Sequence, residues 1–131
     1  MPIQVGWYDQ ATRIIQCDVI GDWDAESFDD AYRQMFALAR KVNDKVGLIC
    51  DLRQAAQMTA SEYTLPVIGS SFVGLTVFVT EETDSPTIQN LMGMIQINAP
   101  DALFSIAPDI PAAVDQANHL MSRVITNIYI R

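Results

Sequence analysis

The spacing of apolar and polar positions changes several times along the chain, and each change marks an element. Residues 3–8, IQVGWY, alternate as a strand does. A turn at DQAT (residues 9–12) leads to RIIQCDVIG (residues 13–21), which reads as the antiparallel partner. In this second strand Ile15, Cys17 and Val19 share one face. Ile14, Gln16, Asp18 and Ile20 share the other, so one side is the more polar. From Phe28 the period becomes helical: Phe28, Tyr32, Met35, Ala39 and Val42 recur on one stripe, which Ala31 and Leu38 widen. Asp24 is placed to cap this helix, with Trp23 and Phe28 at the spacing of a hydrophobic staple. Asp29 and Asp30 lie near its positive end, Arg40 and Lys41 near its negative end, and Asn43 and Asp44 stop it.

Residues 46–52, VGLICDL, are apolar at every position before the acid, the pattern of a strand covered on both faces in a parallel sheet. A turn-prone RQAAQMTAS (residues 53–61) leads to a short helix expected around Glu62 to Ile68, which Pro66 limits. FVGLTVFVT (residues 72–80) is a second buried strand. DSP (residues 84–86) opens another helix with a cap and a proline, and Ile88, Leu91, Met92 and Ile95 form its inner face. ALFSIA (residues 102–107) is a last short strand, followed by a helix over residues 108–124 with Ile110, Val114, Ala117, Met121 and Val124 inward. The tail ITNIYIR continues that helix, adds an edge strand, or packs on a second copy. The order ββαβαβαβα predicts an α/β fold, a mixed β-sheet with helices packed on it and right-handed crossovers.

Length and composition narrow this further. At 131 residues the chain reads as one domain, residues 1–131, with enough length for a core that needs no staples. Half of the residues are apolar, which excludes a disordered chain, and no apolar run approaches the roughly 20 residues of a membrane span. The start, MPIQVGWYDQ, lacks the basic and apolar segments of a secretory signal. Cys17 and Cys50 both lie in strand-like settings and read as reduced, buried thiols of a cytoplasmic protein. The net charge is −8, and seven acids crowd into the stretch from Asp9 to Asp30. Such a surface repels a nucleic-acid backbone. It serves solubility, and otherwise suits a basic protein partner.

Candidate chemistry centres on Asp51, where an apolar run meets an acid. A phosphoacceptor of the receiver type needs an acidic pair after the first strand and a lysine before a proline at the end of the last. Here the doublet Asp29-Asp30 falls inside a helix, and the last strand ends Ala107-Pro108. A haloacid-dehalogenase-type acid pair needs an aspartate two residues on, where Arg53 stands. No oxygen-rich metal set can be assembled around Asp51. His119 is the single histidine and falls on the outer face of the last helix, so it builds neither a zinc site nor a triad. Ser105 and Ser122 lack elbow glycines, and Gly69, Gly74 and Gly93 form no phosphate loop. The bare reading of Asp51 is a strand-end carboxylate that accepts hydrogen bonds from loop amides in the following turn and so closes the strand, with Arg53 either paired to it or in solvent. Trp7 has no local explanation beyond packing on the sheet.

The element order, the entry GDWDAESFDDAY (residues 21–32) and the segment LICDLR (residues 48–53) resemble the STAS family of anti-sigma-factor antagonists, and more narrowly its SpoIIAA-like branch. The resemblance implies a non-enzymatic, bacterial, cytoplasmic regulatory module. Its implied partner is a protein such as a kinase-like anti-sigma factor, with no cofactor and no metal. In that family a serine in an Asp-Ser-x-Gly motif, at the helix start after the Asp-Leu, is phosphorylated to control docking. Here Ala60 stands at the serine position and Glu62 at the glycine, flanked by Thr59 and Ser61, which are also ordinary helix caps. The implied contact surface runs from Arg53 to Ser70, with Asp51, Arg53, Thr59, Ser61 and Glu62 as its candidate residues. Self-association as a homodimer, through the tail or an exposed sheet edge, fits the same pattern. An alternative is a carrier of a small apolar ligand, held between helices and sheet by Met58, Tyr63, Leu65 and Met92.

Overall fold

The computed structural model describes residues 3–21, 25–42, 45–55, 73–81 and 103–129, together with single helical residues at Gln89 and Gly93. The described elements run β1 (Ile3–Asp9), β2 (Ile14–Gly21), α1 (Ala25–Ala39), β3 (Val46–Ala55), β4 (Val73–Val79), β5 (Phe104–Ala107) and α2 (Ile110–Tyr129). They build a five-stranded sheet in the order β1-β2-β3-β4-β5. β1 and β2 are antiparallel, and every later pair is parallel. The fold class is the mixed α/β sheet that the chain's patterning predicts. The short helix at residues 62–68, the inner face of the helix after residue 86, the Asp24 cap and the Trp23–Phe28 staple lie outside the described residues.

The β1–β2 connection is a tight loop. Asp9 Oδ1 accepts the Ala11 amide at 3.0 Å, and the Arg13 amide closes on the Gln10 carbonyl at 3.1 Å. Arg13 then adopts φ 61°, a left-handed conformation in which a side chain costs roughly 1 kcal/mol. Its own contacts hold it there: Nε donates to the Lys45 carbonyl at 3.0 Å, and its carbonyl accepts the Gly47 amide at 2.9 Å. The hairpin loop is thereby fastened to the start of β3 and sets the β2–β3 register.

Alternation along the strands divides the core in two. Ile15, Cys17 and Val19 of β2, with Leu48, Cys50 and Leu52 of β3, face the side where α1 places Ala31, Met35 and Ala39. Ile14, Ile49, Leu75, Val77, Val79 and Ala107 face α2, which answers with Ala113, Ala117 and Met121. Over the described side chains both helical stripes match the predicted periodicity, Phe28 and Val124 lying outside them, and His119 is exposed on the outer side of α2. Gly47 lies under α2, where an added Cβ would come within 3.4 Å of the Met121 sulfur and 3.5 Å of Leu75 Cγ. These are ordinary packing distances, so the glycine lies in contact range of α2 without being required by it. α2 is capped by Asp109, whose Oδ1 accepts the Ala112 amide at 2.9 Å, and it runs on to Tyr129. The tail therefore takes the first of its three readings as far as that residue. α2 lies over β3, β4 and β5. Cys17 and Cys50 are free and buried.

Candidate functional site: the Asp51–Arg53 corner and the open face of the first hairpin

β3 does not stop at its acid. The strand continues to Ala55, so Asp51 is an interior residue rather than the strand-end residue that the apolar run suggests. It is, however, the last β3 residue paired with β4, opposite Val79, and beyond it β3 continues, among the described strands, against β2 only. The β2–β3 register slips at this point: Asp18 pairs with Asp51, but Ile20 pairs with Gln54, so β3 carries one extra residue. The cause is local. Asp51 Oδ1 accepts the backbone amide of Arg53 at 3.1 Å, taking from the ladder a donor that a regular strand would have used.

The same carboxylate also captures the Arg53 side chain. Nε donates to Oδ1 at 3.0 Å and one terminal nitrogen donates to Oδ2 at 2.9 Å, a two-pronged fork. Partial burial pushes the Asp51 carboxyl up. The side-chain bond, the backbone bond and the charge of Arg53 outweigh it and hold the group below its ordinary value. The Arg53 guanidinium is raised in turn, chiefly by the bond to Asp51, with the charges of Asp51, Glu81 and Asp109 adding to it. Glu81 follows β4 and Asp109 precedes α2, so three elements bring their acids to the end of the sheet where Arg53 lies. Of the two sequence readings of Arg53, pairing is the one realised.

Thr59, Ser61 and Glu62 lie outside the described residues, as do Met58, Tyr63, Leu65 and Met92. Ser105 is tied down: its hydroxyl donates to the Gln116 side-chain oxygen, and Gln116 Nε2 donates to the Ile106 carbonyl at 3.3 Å. Two buried polar atoms have no hydrogen-bond partner among the described residues, the Trp7 indole Nε1 and the Thr76 hydroxyl.

A second feature escapes sequence reasoning. An open depression of about 270 Å³ lies on the β1–β2 ribbon, lined by Gln4, Val5, Gly6, Trp7, Gln16 and Asp18. Val5 and Trp7 pack toward the α1-side core. Gln4 and Gly6 stand opposite Asp18 and Gln16 on the other face. The more polar face of the second strand was a partial signal for it. The register that adds Gln4 and the dent at Gly6 was not available from one strand's alternation.

No family model matches this chain, and no curated protein matches it. Among solved structures, the chain is similar to the crystal structure of an uncharacterized protein from the DUF3478 family with a SpoIIAA-like fold, from Shewanella loihica PV-4. The TM-score is 0.61 at 12% identity, and the match covers 88% of this chain and 91% of that one. The sheet order, the helices on its two faces and this likeness together give the chain a SpoIIAA-like fold.

Proposed function

We propose that the chain is a non-enzymatic protein-docking module of the STAS type, whose contact surface begins at the Asp51–Arg53 corner and continues into residues 54–70. The observation that carries this reading is the state of Asp51. Both of its oxygens are committed to Arg53, and its carboxyl is held below the ordinary range. A general base for work near neutral pH needs a free oxygen and a raised value. A carboxylate saturated in this way instead fixes an arginine in one geometry, which suits recognition. The SpoIIAA-like fold supports a regulatory role, and a kinase-like signalling protein is the partner class that the resemblance implies.

The test is affinity capture by the tagged chain from lysate of its own organism at low salt, with mass-spectrometric identification. The expected result is a kinase-like ATPase or another signalling protein that is lost when Arg53→Glu is used as bait. Capture indifferent to Arg53→Glu, or no capture at all, overturns the reading and moves weight to carriage of a small apolar ligand.

A further inference from the structure

Among the described elements α2 covers β3 to β5, and the same face of the β1–β2 ribbon carries Gln4, Gly6, Gln16, Asp18 and Ile20, with Tyr8 at the register shift. Tyr8 is 45% exposed and Ile20 39%, high values for large apolar groups, and each is near in sequence to a residue that lines the depression of about 270 Å³, Tyr8 to Trp7 and Ile20 to Asp18. An ideal Cβ at Gly6 would meet nothing within 4 Å, so this position is open space rather than a packing requirement.

Asp18 is the charged group of the depression. Gln16 Nε2 donates to its Oδ1 at 2.9 Å, which fixes the carboxylate's orientation. Asp51, its neighbour in register, is neutralised by Arg53, whereas Asp18 has no cation partner among the described residues. An oriented, half-buried carboxylate flanked by amide side chains, beside apolar exposed groups, matches a planar guanidinium on an aliphatic stem.

We propose that this depression takes an arginine side chain presented by a basic segment of a partner protein, with Asp18 bonding the guanidinium, Gln4 and Gln16 supplying further acceptors, and Tyr8 and Ile20 packing beside it. Charge selects this occupant. The chain carries −8, which draws a basic segment and repels an anionic one. A second copy docked face to face would set Asp18 near its own equivalent in a self-complementary interface, so like charges oppose it. The depression adjoins the Asp51–Arg53 corner, since Asp18 and Asp51 are partners in register, but the contact proposed here uses neither Asp51 nor Arg53 and does not depend on the role proposed for them.

The test is a titration of the ¹⁵N-labelled full chain with the capped peptide acetyl-Val-Arg-Val-amide, followed by amide shifts. The expected shifts centre on Gly6, Gln16 and Asp18. Binding should fall about tenfold or more in Asp18→Asn, in Gly6→Leu, and when citrulline replaces arginine. Asp115→Asn, an exposed position on α2 away from the depression, should bind within about twofold of the parent. Gly6→Leu keeps every charge and fills the dent, so unchanged binding by that variant would mean diffuse attraction and overturn the proposal. Shifts centred elsewhere overturn it as well. Equal affinity for acetyl-arginine-amide alone would assign a free guanidine ligand and overturn docking of a protein segment.

Discussion

Removing the Asp51 carboxylate should cost a modest, pH-dependent amount of stability, and the geometry sets its size. Two contributions are lost in Asp51→Ala. The bond from the Arg53 amide to a charged acceptor is worth about 1 to 1.5 kcal/mol. The fork to the Arg53 side chain, which is itself 32% exposed, is worth about 0.5 to 1 kcal/mol after solvent screening. Asp51→Ala should therefore lose about 1.5 to 2.5 kcal/mol at neutral pH. Asp51→Asn retains the carbonyl oxygen for the amide and should lose about 0.5 to 1 kcal/mol. A double-mutant cycle with Arg53→Ala isolates the fork, and its coupling should be about 0.5 to 1 kcal/mol in urea denaturation. The pH dependence has a fixed sign. Asp51 is lowered on folding, so its contribution is complete above the unfolded value of about 4 and disappears as pH falls through the lower folded value. Parent and Asp51→Asn should therefore converge in stability as pH falls below the unfolded value of about 4. A coupling of zero, or a parent advantage that persists in acid, would refute the account of Asp51 as a carboxylate held by Arg53.

Two further outcomes follow from buried groups. Thr76 is 1% exposed and its hydroxyl has no partner among the described residues, so Thr76→Val should leave thermal stability unchanged or raise it by up to about 1 kcal/mol. A clear loss would mean that the hydroxyl is bonded. Cys17 and Cys50 face each other across β2 and β3, and the Cys17 thiol is raised well above its ordinary value, first by its bond to Cys50 and then by burial. Ellman's reagent at pH 8 should react only in step with the unfolded fraction as urea is added; prompt reaction in the native protein would contradict the burial of both thiols.

Much of the fold was legible because its signals are local. The alternation of residues 3–8 and 13–21 placed the hairpin, and the stripes through Met35 and Met121 marked the inner faces of the two helices, whose placement on opposite sides of the sheet only the structure gives. The unbroken apolar run at Val46–Cys50 announced a strand buried on both faces. What was not legible depends on pairings between distant segments. The extension of β3 past Asp51 rests on β2 running alongside it, and on a carboxylate that captures an amide two residues on. Apolar patterning sees only the acid, and so ends the strand there. The convergence of Glu81 and Asp109 on Arg53 joins three chain segments, and the dent at Gly6 exists only once Gln4 and Asp18 are in register. Pairing of Asp51 with Arg53 was one of two local options, and the i, i+2 spacing on one strand face realised it.

The order of strands in the sheet is also the order in which they leave the ribosome. Every ladder in the described sheet joins strands that are successive in the chain, so no later strand has to insert between two that have already paired. The hairpin is local and closes on the microsecond scale. It offers β2 as a template for β3, which in turn offers an edge to β4, and so on to β5. Parallel sheets usually fold slowly because their contacts are distant in sequence, but sequential addition keeps the contact order near the low end for such a sheet. A nascent chain of this protein can therefore accumulate native structure from its first strand onward, with a single growing edge exposed at each stage.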